Sequence, residues 1–369
     1  MSVEYYILFG ILFLYALLLS FPILGFAKSE FVKNDSDSLN EPISIIICAR
    51  NEEKNIPRCL KTILHQQYDL SKLQIILIDD ASTDSTVNYA QAILKVSGIN
   101  YKIIQNKKQL GKKRSILQAL QLAEYELIIT RDADTYTLSD EWLYTISDFY
   151  TKHKCDMIIG PVAISQNSGA LWALQAIEND ILNVLSCGMA KLKKPFLCSG
   201  ANLIFTKTAF KKAGSYQSHL AITSGDDVLF LEDLKKTGAK ISYLKSNKAV
   251  VYTYPCPNIK SLFLQKIRWA NKFSSNKNYY NNLLAFVTLL TNISVLFCIL
   301  NAFLVAQNAT FGLIFIGIKL VIDNLLLFLA SRFLKTKGLT MYILPVALVY
   351  PVYVLLISLL SIFIKPNWK

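Results

Sequence analysis

Pro42-Ile43-Ser44-Ile45-Ile46-Ile47-Cys48-Ala49-Arg50-Asn51-Glu52-Glu53 is the stretch that decides the fold. Isoleucines crowd Ile43–Cys48, and β-branched side chains favour an extended, buried strand. The apolar run stops at once in Arg50, Asn51 and two glutamates, so the strand delivers a polar cluster to its carboxyl end. The same pattern recurs downstream. Gln74–Asp79, Lys102–Ile104, Glu126–Thr130 and Asp156–Gly160 read as further buried strands. Glu52–Gln67, Thr83–Val96, Gly111–Ala123 and Asp140–Tyr150 read as the helices between them. Such alternation predicts an α/β domain with a mostly parallel sheet. In these sheets ligands bind beyond the carboxyl ends of the strands, where the polar clusters fall.

Of the 369 residues 53% are hydrophobic, and the excess is confined to an N-terminal stretch and a block after Asn281. Tyr5–Ala27 is long enough to cross a bilayer, for which about 20 residues suffice. A cleaved signal peptide fits less well, because Lys28 and Lys33 follow the apolar run and Glu4 stands at its start. No charged residue occurs between Lys277 and Lys319, and spans are expected at Leu283–Ala306, Thr310–Ala330 and Met341–Ile364. Arg332, Lys335 and Lys337 lie between the last two, whereas Gln307–Ala309 carries no charge. The positive-inside rule then sets the N-terminus outside and the middle region in the cytoplasm. Residues 1–28 are expected to form a transmembrane anchor and 29–41 a polar linker. Residues 42–257 form the cytoplasmic α/β domain, 258–280 an interfacial amphipathic helix and 281–369 a three-helix transmembrane region. Lys319 and Asp323, at i and i+4, can pair as a lock between helices or serve a function within the membrane.

The formal net charge of +13 suits a domain held against an anionic leaflet and handling a polyphosphate. No nucleic-acid-binding motif accompanies it, and no nucleic acid is expected as a partner. The seven cysteines show no CxxC spacing and read as reduced residues, neither a disulfide framework nor a zinc site.

Five polar clusters interrupt the strand–helix pattern. Cys48–Glu53 follows the first strand. Asp79-Asp80-Ala81-Ser82-Thr83-Asp84 closes the next; its carboxylates can hold a base and ribose, or its Ser and Asp can cap a helix. Arg131-Asp132-Ala133-Asp134 sets two aspartates at a strand terminus, where they can meet a diphosphate with Mg²⁺ or Mn²⁺, or stand as a solvated turn. Gly225-Asp226-Asp227 precedes a helix at Val228–Lys236, and a carboxylate there can cap that helix or take a proton from a hydroxyl. Gln265-Lys266-Ile267-Arg268-Trp269 lies in an amphipathic helix. Ile259, Leu262, Phe263, Ile267 and Ala270 share one face of it, with Gln265, Arg268 and Trp269 opposite. This helix either closes over a site or anchors at the interface through its Trp and Arg.

In this order, and joined by Gly111-Lys112-Lys113 and Cys198-Ser199-Gly200-Ala201-Asn202, the clusters resemble glycosyltransferase family 2, an inverting family. The resemblance covers about Pro42 to Lys272. Its Gln-x-x-Arg-Trp motif is similar to that of the branch holding cellulose- and hyaluronan-synthase-like enzymes and lipid glycosyltransferases. The fold this implies is GT-A, a Rossmann-like mixed, mostly parallel sheet flanked by helices, joined here to about four transmembrane helices, one N-terminal and three C-terminal. The resemblance implies donor contacts by Asn51, Glu52, Asp79, Asp80, Lys112 and Asp132, and metal binding by Asp134 with Asp132. It implies an acceptor side of Ser199, Gly200, Ala201, Asn202, Gln265 and Trp269. Asp227 would be the catalytic base, and Arg268 would neutralise the leaving diphosphate. Two departures stand out: Gly225-Asp226-Asp227 occupies the place where many members carry Thr-Glu-Asp or Glu-Asp, and Lys266 follows Gln265 where the family motif often has Gln or Arg, a variable position at which the change is expected to be harmless.

The expectation that follows is a membrane-bound, inverting, metal-dependent hexosyl- or N-acetylhexosaminyl-transferase of cell-envelope biosynthesis. It would move a sugar from a nucleotide-sugar, UDP by family expectation, to a lipid or lipid-linked acceptor at the cytoplasmic face of the cell membrane. The alternative acceptor is a growing glycan, in a processive polysaccharide synthase, against which the small set of spans argues. A catalytically silent membrane scaffold is a further alternative, opposed by the presence of Asp80, Asp132, Asp134, Asp227 and Arg268.

Overall fold

The structure, a computed structural model, describes residues 3–32, 40–217, 226–273, 278–304 and 309–364. The chain divides into two compact units, one of residues 29–165 and 190–254, the other of 1–28, 166–189 and 255–367.

The first unit is built on β1 (Ile43–Ala49), which pairs in parallel with β2 (Leu73–Asp79) on one side and β4 (Leu127–Asp132) on the other. A strand flanked and covered on both faces must be apolar throughout, and every residue of β1 except Cys48 is buried. β3 (Asn100–Gln105) extends the sheet in parallel beyond β2. Past β4 come β8 (Leu203–Thr206), β6 (Met157–Ile159) and β9 (Ile241–Tyr243), giving the order β3-β2-β1-β4-β8-β6-β9. Only β8 runs antiparallel to its neighbours, so the sheet is mixed and mostly parallel. The helices α2 (Ile56–Leu64), α3 (Thr86–Lys95), α4 (Lys112–Leu122), α5 (Trp142–His153) and the short α7 (Lys207–Lys212) follow the strands. Ile45, Ile47, Ile75, Leu77 and Ile129 of the sheet pack with Leu60, Ile63, Ala90 and Ile146 of these helices in one core. A smaller sheet, β5 (Thr135–Thr137), β10 (Val251–Thr253) and β7 (Val162–Ile164), pins the chain just after Asp134 through the pairing of Thr135 with Thr253.

The second unit gathers α1 (Val3–Lys28), most of α6 (Ala170–Lys191), α9 (Ile259–Phe273), α10 (Tyr279–Leu304), α11 (Ala309–Leu334) and α12 (Ile343–Phe363). Among the described residues, four segments are long and apolar enough to cross a membrane: α1, Tyr279–Ala302 of α10, α11, and Thr340–Phe363 ending in α12. α6 has no counterpart among the elements expected from the sequence. Its backbone touches that of α1, because a Cβ on Gly25 would run into the Gly188 carbonyl, and one on Gly188 into the Pro22 carbonyl. Small residues permit such close helix approach. Lys319 pairs with Asp323 at 2.6 Å, and Tyr15 of α1 donates its hydroxyl to the same carboxylate at 2.7 Å. The pair is thus built into the contact between α11 and α1, as a lock between helices would be. Residues 33–39 of the expected linker, Gln307 and Asn308 of the expected connection, and Gly225 lie outside the described residues.

Candidate active site

Strand register sets the site. Ala49 lies opposite Asp79, and Cys48 opposite Asp132, so three of the polar clusters leave the sheet at one level along its carboxyl edge. Because β8 is antiparallel, its entry from Cys198–Asn202 falls at the same edge, with Leu203 opposite Thr130 of β4.

The first two clusters are tied to each other. Asn51 donates its backbone N–H to the Ser82 hydroxyl at 2.9 Å and accepts from the Thr83 N–H at 2.9 Å. Glu52 N–H donates to the Thr86 hydroxyl, Glu53 N–H to Asp84, and Ser85 N–H back to Glu53. These bonds replace the first helical turns, which is why α2 and α3 begin later than the expected Glu52 and Thr83. Asn51 and Ala81 hold φ of +55° and +61°. Asn tolerates the left-handed region well; for Ala81 it is strain of about 1 kcal/mol or more, a feature that gathers at functional loops.

Asp80 is buried and its carboxylate is engaged from within: it accepts from Asn106 Nδ2, Leu110 N–H and Gly111 N–H at 2.7–3.0 Å. It therefore shapes the loop leading into α4 and presents Lys112. Asp79 accepts from Ser82 N–H through one oxygen, while its other oxygen is buried without a partner among the described residues. A buried orphan acceptor of this kind is costly unless something donates to it.

Lys112 pairs with Asp132 at 2.6 Å. Burial, then the neighbouring carboxylates of Asp132 and Glu52, push the Asp134 carboxyl up to about 7. Crowded carboxylates with hard oxygens fit a divalent cation, which would relieve their repulsion. Among the described residues no three His, Cys, Asp or Glu side chains converge on one point. A cation held by Asp134 and Asp132 would therefore keep water or phosphate oxygens, as Mg²⁺ and Mn²⁺ commonly do.

Beneath this turn sits Arg131, to which the sequence motif alone gives no role. It is buried and donates to the Thr135 and Thr62 hydroxyls, with its guanidinium over the Trp142 ring. Its burial, among neutral partners, could not be inferred from the motif.

On the other side of β4, Asp227 accepts from the Gly200 N–H at 3.1 Å and from the Val228 N–H at 2.8 Å. The structure thus joins Asp227 to the Cys198–Asn202 turn. It lies in the first turn of α8 (Asp226–Lys236), where it satisfies an N–H that has no partner within the helix, whatever else the carboxylate does. Ser199 caps the turn through Ala201 N–H, and Ala201 is buried. Asn202 is wholly buried: its amide donates to the Pro161 and Ala249 carbonyls and accepts from Trp142 Nε1. Its influence on any acceptor is exerted through the turn it holds.

Gln265, Arg268 and Trp269 lie on α9, in the second unit. Desolvation lowers the Arg268 pKa from its ordinary value. Lys266 departs from expectation, being buried and ion-paired.

Residues 44–214 match Glycosyl transferase family 2. The chain carries a glycosyltransferase family 2 domain. Its family 2 relatives include the poly-beta-1,6-N-acetyl-D-glucosamine synthase of Staphylococcus epidermidis, 26% identical over 66% of this chain and 57% of that protein. The synthase of the same description from Staphylococcus aureus strain COL is 26% identical over 62% of this chain and 54% of that protein. The chain thus matches little more than half the length of these relatives. Among solved structures, the mannosyltransferase PcManGT from Pyrobaculum calidifontis, in complex with GDP-Man and Mn²⁺, superposes with a TM-score of 0.59. At 15% identity it covers 95% of each chain. The fold is GT-A.

Proposed function

We propose that this family 2 protein is an inverting glycosyltransferase of the membrane that moves a hexose or N-acetylhexosamine from a nucleotide-sugar to a lipid or lipid-linked acceptor. The observation that carries the reading is the convergence of Asp79, Asp80, Lys112, Asp132, Asp134 and Asp227 on the carboxyl edge of one sheet. In this reading Asn51, Glu52, Asp79 and Asp80 shape the nucleoside side, and the orphan oxygen of Asp79 receives a donor hydrogen bond. Lys112 and Asp132 flank the donor diphosphate. A divalent cation on Asp134 and Asp132 would supply positive charge to that diphosphate. Asp227 takes the proton of the acceptor hydroxyl as its oxygen attacks the anomeric carbon and the bond to the nucleoside diphosphate breaks, inverting that centre. Ser199, Gly200, Ala201 and Asn202 border the acceptor. Gln265, Arg268 and Trp269 are assigned by their sequence motif: Arg268 to the leaving diphosphate, Gln265 and Trp269 to the acceptor. The catalytic domain is assigned to the cytoplasmic side and the N-terminus to the outside.

A second reading, a processive polysaccharide synthase, is favoured by the description of both staphylococcal relatives. The donor is open in the same way: N-acetylglucosamine is the sugar in the relatives' polymer, whereas the structural neighbour holds GDP-Man. Membranes containing the protein, given a panel of UDP- and GDP-sugars with Mg²⁺ or Mn²⁺, should release nucleoside diphosphate with one donor. A discrete glycolipid product supports the first reading and a long polymer the second. No release with any donor, in the presence of native lipid extract, overturns both.

A further inference from the structure

The second unit contains a charged contact that the Gln-x-x-Arg-Trp motif does not explain. Lys266 fills one of the variable places of that motif, yet it is only 7% exposed. Its ammonium lies 2.5 Å from Glu178 Oε2 on α6. The same ammonium stands 4.2 Å from the centroid of the Trp269 ring, one turn further along α9. Tyr353 of α12 donates its hydroxyl to that Glu178 oxygen at 3.4 Å, and its ring meets Phe263 of α9 edge-on. α6 also grips the chain ahead of α9, where the Gln175 amide donates to the Cys256 carbonyl and accepts from the Cys256 N–H.

A buried ammonium needs its counter-ion, because removing one partner leaves an uncompensated charge out of water. A cation over an indole face is attracted by the ring quadrupole, more strongly when both are desolvated. Lys266 is therefore held in place by a carboxylate from another helix and in turn presses against the ring on its own. Trp269 is 39% exposed, so packing alone does not fix the plane of its indole. Lys266 supplies the missing restraint, and Glu178 fixes Lys266.

We propose that Glu178, acting through Lys266, is a positioning residue for Trp269 and sets the orientation in which the indole meets the acceptor. The assignment to the acceptor rests on the function proposed above; the restraint on the ring does not.

Two experiments on the full chain in detergent separate these. The first needs no turnover: the Trp269 contribution to fluorescence is the difference between the chain and its Trp269→Phe variant. Acrylamide should quench that contribution more readily in Lys266→Met and in Glu178→Gln, and Lys266→Arg should restore protection. An unchanged Trp269 contribution in both variants overturns the proposal, and this arm decides it even when no nucleotide-sugar supports transfer. The second reads kinetics. Glu178→Gln should raise the acceptor KM several-fold with the donor KM unchanged, and should add little in the Trp269→Phe background. Additive losses would mean that Glu178 acts only on the fold, and would overturn the proposal. The exchange Glu178→Lys with Lys266→Glu should recover thermal stability relative to Glu178→Lys alone. It puts a carboxylate against the indole, so the acceptor KM should stay raised; its full recovery contradicts the proposal.

Discussion

At the scale of single residues, the candidate site is a set of carboxylates given different tasks by different partners. Asp80 is committed to the loop before α4, whereas Asp227 accepts from the backbone N–H groups of Gly200 and Val228. Asp227→Asn preserves the shape and the Gly200 contact but cannot accept a proton. Transfer should fall by at least about 100-fold, the usual share of a general base, while donor binding measured by calorimetry stays unchanged. Asp134→Ala should do the opposite first: it should weaken donor binding in the presence of Mn²⁺. Chelation of divalent cations should reproduce that loss in the wild type and add little to it in the variant. Near-wild-type transfer in both variants would sink the assignment. The gathering of Asp79, Asp80 and Asp132 at one edge was legible in the sequence because each stands where an apolar run ends, and strand ends are where an α/β sheet binds ligands; Asp227, at the start of a helix, carries no such signal. Lys266 and Arg131 were not legible either. Their meaning depends on Glu178 and on the Thr62 hydroxyl, partners remote in sequence, and local spacing carries no trace of them.

At the scale of elements, periodicity identified what repeats and missed what does not. β1, β2 and β4 were readable because strands buried on both faces are continuous apolar runs, and the four candidate spans because they are long ones. α6 was invisible to both tests, since Glu178 and Asp180 interrupt its apolar pattern and it lacks the length of charge-free sequence a span shows. Its place is set instead by two glycines. Gly188→Leu should destabilise the detergent-solubilised protein by about 1–3 kcal/mol or more, the range for forcing atoms into a filled contact. Here the obstacle is backbone and cannot turn aside. Gly10→Leu is the matched control, because nothing lies near a Cβ built on Gly10. A thermal midpoint that falls for Gly188→Leu and holds for Gly10→Leu is the expected result. Equal midpoints would mean that α1 and α6 do not meet at Gly25 and Gly188.

At the scale of the whole molecule, function depends on which side of the membrane the sheet's carboxyl edge faces, and that is a matter of charge distribution along the chain. The donor of the proposed reaction is a nucleotide-sugar, which is charged and does not cross a bilayer unaided, so the loops at that edge would have no substrate on the wrong side. The candidate spans alternate with connections of unequal charge: Arg332, Lys335 and Lys337 follow α11, while Gln307–Ala309 before it carries none. Cationic connections are retained on the cytoplasmic side. Alkaline phosphatase, active only outside the cytoplasm of a bacterial host, should be active when fused after Asn308 and inactive when fused after Lys337. Replacing Arg332, Lys335 and Lys337 by neutral residues should weaken that contrast without changing the helices, because it removes the bias and leaves the apolar spans. The reverse pattern, activity after Lys337 and none after Asn308, would put the Asp79, Asp132 and Asp227 loops outside. In that case Asp227 could not be the base of a reaction fed by a cytoplasmic nucleotide-sugar, however well its geometry suits the task.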